Sequence, residues 1–143
     1  MARRAETRAA EREKSIRGLL TKVKRLSKTK TFYWLVTGLW AAFMILSSVP
    51  DVLRAPAAVA LFMPLGYPAY LLPFLGIAKS LGVAAVLFPG IPRLKEWAYA
   101  GLTFDLAGAL YSHLSVGDPP GTWLFPVFGL SLAAGSYVLY RFT

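Results

Sequence analysis

The chain has 143 residues, 56% of them hydrophobic and 16% charged, and a mean hydropathy of +0.51, whereas a soluble domain carries about a quarter charged residues. It has no cysteine and one histidine, His113, which excludes disulfides, thiolate metal sites, Cys-x-x-Cys redox chemistry and a histidine-based metal cluster within this chain. Of the +9 net charge, +8 lies in residues 1–30, where eleven basic residues face three acidic ones; this pattern fits a cytoplasmic segment flanking a membrane and not a nucleic-acid surface.

Within residues 1–30 the apolar positions Ile16, Leu19, Leu20, Val23 and Leu26 fall on one helical face, with Arg17, Lys22, Lys24, Arg25 and Lys28 around the rest. Two readings stand: a basic amphipathic helix lying on an anionic leaflet, or a solvated tail. Thr31 to Val49 has no charge over nineteen residues and is predicted to be the first transmembrane helix (31–49), with Trp34 shallow enough for the interfacial belt. A cleaved signal peptide does not fit a thirty-residue basic lead and so long an apolar run. Pro50-Asp51 is expected to stop this helix. Residues 51–65 are apolar but broken by Pro56 and Pro64, so they are read as an interfacial or re-entrant segment. Gly66-Tyr67-Pro68 then turns the chain into the next helix.

The second span is predicted at about 68–88. Leu72, Leu75, Lys79, Gly82, Val83 and Val86 share one face, and Gly76 and Gly82 flank Lys79, where small residues let a neighbouring backbone approach. Pro89-Gly90-Ile91-Pro92 is an inner turn. The third span, about 94–114, puts Ala98, Gly101, Asp105, Gly108, Ala109 and Ser112 on one face, which reads as a packing seam with one carboxylate. Glu96 is shallow enough to snorkel to the headgroups, with Arg93 or Lys95 as partner. After a polar outer loop at 115–121, the fourth span runs over about 122–140, with a kink expected at Pro126. Lys and Arg counts in the connections put both termini in the cytoplasm. The expectation is an all-α, polytopic four-transmembrane-helix bundle with a basic N-terminal cytoplasmic helix or tail.

An ionisable residue at the bilayer centre costs about 2.5–3.5 kcal/mol on insertion scales, so it is paired, wetted or functional. Lys79 lies ten residues before Pro89 and Asp105 thirteen after Pro92, depths of roughly 15 and 20 Å from the same turn. The prediction is a Lys79–Asp105 interaction, direct or through water. One reading is a structural ion pair that fixes helix register. The other is a polar pocket that binds the head of a lipophilic ligand or relays a proton. Tyr99, Thr103 and His113 are candidate additions to that pocket, and Glu96, Tyr67, Tyr70 and Tyr111 are secondary polar groups. No catalytic set and no metal site is identified.

The stretch 65–113 also resembles the DoxX-like family of small bacterial four-helix membrane proteins. The resemblance rests on Gly66-Tyr67-Pro68, Ile77-Ala78-Lys79 through Gly82, Pro89-Gly90 before Arg93-Leu94-Lys95-Glu96-Trp97-Ala98-Tyr99-Ala100-Gly101, and Phe104-Asp105 through His113. It extends in outline over about 31–140 and leaves the basic segment outside. The resemblance implies a multi-pass protein of the bacterial cytoplasmic membrane and brings in a quinone as the one cofactor, since the family takes its name from a membrane subunit of a quinone-reducing enzyme. A disulfide-relay role would need cysteines. Three functions follow as expectations. The first is an accessory or binding subunit holding a quinone or lipid at Lys79 and Asp105. The second is a chaperone or scaffold for another membrane protein. The third is a subunit of a quinone-linked oxidoreductase. The expected partners are the lipid bilayer and a second copy or another membrane protein, not nucleic acid.

Overall fold

A computed structural model of the protein describes residues 2–143, and all of its regular structure is helical. Five α-helices follow one another: α1 (Ala2–Val52), α2 (Pro56–Phe62), α3 (Leu71–Leu87), α4 (Pro92–Ser115) and α5 (Pro120–Phe142). A single 3-10 turn, Met63–Leu65, follows α2. The C-terminal half of α1 packs against α3 and α5, and α4 closes the ring by packing against the same two helices.

The basic segment and the first apolar run form one helix of 51 residues, about 75 Å long at 1.5 Å per residue. The change at Thr31 is therefore one of composition and not of backbone. Ala, Arg, Glu and Lys propagate a helix as readily as the apolar residues that follow. Nor does Pro50 stop the helix at its own position: it lies inside the last turn and forgoes one backbone hydrogen bond there. The helix ends two residues later, where Arg54 adopts a left-handed conformation (φ 50°) and Ala55 N–H donates to the Pro50 carbonyl at 2.9 Å. The following proline also behaves differently from its expected role as a breaker: Pro56 occupies the first turn of α2, a position that needs no N–H. α3 begins at Leu71, three residues later than expected, after a turn over Tyr67–Tyr70.

Two helices, α1 and α5, are long and apolar enough by themselves to cross a membrane. α3 has 17 residues, about 26 Å against a hydrocarbon core of about 30 Å. α4 has 24 residues but carries Arg93, Lys95, Glu96 and Asp105. Many large apolar residues are exposed, including Leu35, Leu46, Phe74, Leu81 and Phe104, and extensive exposed apolar surface marks a face that meets lipid or a partner.

The core gathers Trp40 and Met44 of α1, Val83 and Val86 of α3, Tyr99, Leu102 and Leu106 of α4, and Ala133 of α5. Large residues of α4 enter gaps left by glycines on its neighbours. A Cβ on Gly82 would lie 3.0 Å from Leu102, and one on Gly129 would lie 2.9 Å from Leu106 and 2.7 Å from Phe43. The seam expected on α4 is consequently displaced. Gly101 and Gly108 are exposed, with nothing within 4 Å of an added Cβ, and the inward line runs through Ala98, Tyr99, Leu102 and Leu106.

Candidate functional site

A close approach of α1 and α3 positions the site. At Gly76 of α3 an added Cβ would sit 2.6 Å from the Val52 side chain, 2.8 Å from Val52 N and 2.9 Å from the Ser48 carbonyl of α1. Only glycine allows this contact, and hydroxyls cross it: Ser48 Oγ donates to the Gly76 carbonyl at 2.5 Å and lies 2.6 Å from Ser80 Oγ. One turn along α3, Lys79 is thereby held beside the end of α1. Its ammonium donates to Asp51 Oδ2 at 2.5 Å, with both side chains less than one-fifth exposed.

The direct bond of Lys79 is thus to Asp51 and not to Asp105. The rotation of α3 that lets Gly76 meet α1 also turns the Lys79 stem toward α1. Asp105 instead borders the same cavity from α4 and has no hydrogen-bond or ion-pair partner among the described residues. The cavity measures about 560 Å³ and is walled by the end of α1, by α2, by the first half of α3, by the second half of α4 and by Phe125 of α5. Ser47, Asp51, Tyr67, Lys79, Asp105, Ser112 and His113 are its polar lining; the remainder is apolar. Near the α4 terminus, Tyr67 Oη lies 2.9 Å from Ser112 Oγ, and His113 Nδ1 lies 2.5 Å from Asp118 Oδ2.

Of the residues singled out from sequence, Lys79, Asp105, His113 and Tyr67 meet in this cavity. Tyr99 does not: it is buried in the core, stacked on Trp40 with ring centroids 5.3 Å apart, and its Oη lies 2.7 Å from Ser136 Oγ. Ser136 Oγ is also 2.6 Å from Thr37 Oγ1, so a buried hydroxyl chain links α1, α4 and α5. Thr103 and Glu96 border a separate hollow between α4 and α5. Glu96 pairs with Arg141 of α5 at 3.6 Å, not with Arg93 or Lys95. Lys95 instead is buried among aromatic rings. Its Nζ lies 3.2 Å from Tyr33 Oη and 5.2 Å from the centroid of Tyr140. Tyr70 and Tyr111 point outward, each more than two-thirds exposed.

Ser47, Asp51 and Ser112 are polar residues of the cavity that were not expected in the site, although Ser112 was placed on the same face of α4 as Asp105. The available signal for Asp51 was its charge, because it is one of only four acidic residues after position 30.

The sequence profile of the DoxX-like family matches residues 35–136. The chain belongs to the DoxX-like family. The match takes in α2 to α4 whole, most of α5 and the apolar part of α1, and so includes every residue that lines the cavity. No curated protein and no solved structure matches this DoxX-like chain. Family membership and the apolar helices make it a DoxX-like membrane protein.

As chemistry, the cavity offers one ammonium and two carboxylates within apolar walls. Lys79 has three donor positions, one of which Asp51 uses. Asp105 can accept from a ligand donor, or donate if it carries a proton. This is a surface for an oxygen-bearing head attached to an apolar body.

Proposed function

We propose that this DoxX-like protein crosses the bacterial cytoplasmic membrane four times, with both termini in the cytoplasm. There it acts as a non-catalytic accessory or binding subunit holding a lipophilic ligand, a quinone or a lipid, with its polar head between Lys79 and Asp105. The observation that carries the proposal is Asp105, a carboxylate with no hydrogen-bond or ion-pair partner among the described residues, which lines a mostly apolar cavity of about 560 Å³ together with the Lys79 ammonium. A purely structural ion pair accounts for Lys79 with Asp51 but leaves Asp105 without a role. Ligand sites are typically apolar clefts of roughly 300–1,000 Å³ with a few placed polar groups, and this cavity falls in that range. Four spans are supported by the side-by-side packing of α1, α3, α4 and α5, and the orientation by the excess of Lys and Arg at the chosen inner ends.

The test is native mass spectrometry of the detergent-purified protein beside Asp105→Leu, a change that removes no intramolecular bond. A defined quinone or lipid retained by wild type and lost from the variant is expected. Identical spectra from two equally folded proteins would defeat the binding role.

One observation favours a second reading, that of a scaffold for another membrane protein. Trp97 and Phe104 are 79% and 77% exposed on the same helix as the open glycines 101 and 108, and small residues allow a second helix to come close. Under that reading, Gly101→Leu or Gly108→Leu releases a cross-linkable protein partner in native membranes.

A further inference from the structure

We infer that the ligand is a single amphiphile whose apolar tail leaves the polar cavity sideways and lies in the groove between α3 and α4. This rests on the binding role proposed above and adds the shape and chemical class of what is bound.

A second cavity of about 570 Å³ lies between α3 and α4, on the side toward the inner turn. It meets the polar cavity at four residues that border both: Leu75, Lys79, Phe104 and Asp105. Beyond them its lining is apolar and includes Ala78, Leu81, Leu94, Trp97 and Gly101. The two cavities are thus a polar chamber and an apolar trough that share one threshold, and among the described residues the charges lining the trough are the two at that threshold. From Asp105 to Leu94 the trough follows eleven residues of α4, about 16 Å. That equals the hydrocarbon depth of one leaflet, about half of a 30 Å core. Small residues on both walls, Ala78 and Gly101, keep the trough open, and an added Cβ on Gly101 would touch nothing within 4 Å.

The head must satisfy what the threshold presents. Asp51 already occupies part of the Lys79 ammonium, and Asp105 is left wanting a hydrogen-bond donor or a cation. The shared chemistry is therefore an oxygen-bearing head on a long chain. A lysophospholipid bearing an ammonium meets Asp105 with that group, and an alkylquinone accepts at its ring carbonyls from Lys79 and from Asp105 in its protonated form.

The experiment titrates delipidated full-length protein in detergent, read by native mass spectrometry. Two probe series are used, lysophosphatidylethanolamines and alkyl-1,4-benzoquinones, each with a hexyl-length and a hexadecyl-length chain. Which series binds identifies the source of the head. In the series that binds, the long-chain probe is expected to bind wild type about tenfold tighter than the short one. Gly101→Leu, whose Cβ meets nothing within 4 Å and whose side chain is placed on the wall of the trough, is expected to remove that preference while short-chain affinity stays within about twofold. Ala78→Phe on the facing wall gives an independent second variant with the same expectation. Equal affinity for both chain lengths in wild type, or a preference that survives both trough substitutions, overturns the tail inference and leaves the head site standing. Binding of neither series overturns both.

Discussion

Gly76→Ala is the sharpest perturbation the packing offers. The new methyl would meet Val52 Cγ2 at 2.6 Å, Val52 N at 2.8 Å and the Ser48 carbonyl at 2.9 Å. Two of these three atoms are backbone of α1, so a rotamer change cannot relieve the clash and the helices must move apart. Overpacking of this kind costs about 1–3 kcal/mol. Separation also loosens the Ser48–Gly76 bond, and hydrogen bonds between membrane helices average about 0.6 kcal/mol. The expected loss is about 2–4 kcal/mol, with weakening of the Lys79–Asp51 pair as a secondary effect. Gly101→Ala is the control, since its methyl meets nothing and alanine is the better helix former by about 1 kcal/mol. Unfolding by sodium dodecyl sulfate in mixed micelles, followed by circular dichroism, measures both. Equal stabilities for the two variants would refute the close α1–α3 contact on which the site is built.

Asp51→Ala strands the Lys79 ammonium and is expected to cost about 3 kcal/mol, whereas the double replacement Asp51→Leu with Lys79→Met recovers most of that loss, as found for buried pairs exchanged for apolar groups; the same mixed-micelle unfolding reports it. Ser136→Ala cuts the hydroxyl chain to Thr37 and Tyr99 at once and should cost about 1 kcal/mol at roughly 0.6 kcal/mol per bond. A thermal midpoint that matches wild type would show that the chain is not formed. Tyr140→Leu removes both the ring face 5.2 Å from Lys95 Nζ and the stack on Tyr99, an expected loss of about 2 kcal/mol from the cation–π and aromatic contributions together. Tyr140→Phe, which keeps the ring, is expected to retain most of it.

The helices were legible in the sequence because uninterrupted apolar runs and proline–glycine turns dictate them. The continuity of α1 was not legible, since hydropathy changes at Thr31 while helix propensity does not. The prolines misled as well: Pro56 lies in a first turn, where the missing N–H is harmless, and Pro50 is carried inside a last turn although one backbone hydrogen bond is lost there. Depth arithmetic put Lys79 and Asp105 at similar levels, and both do border one cavity. Rotation about each helix axis is a property of packing, however, and it is the fit of Gly76 against Ser48 and Val52 that aims Lys79 at Asp51. The same limit displaced the α4 seam. Small residues signal close approach, but here the glycines of α3 and α5 receive the leucines of α4, and the glycines of α4 itself remain open.

The most direct test of the binding cavity is photo-capture in native membranes. A diazirine side chain of leucine size at position 75, which borders both cavities, is compared with the same group at position 46, where Leu46 is 75% exposed on the outer surface. The account predicts one defined adduct mass at 75 and the general lipid mixture at 46. The same mixture at both positions would contradict it, because the cavity would then hold only bulk lipid.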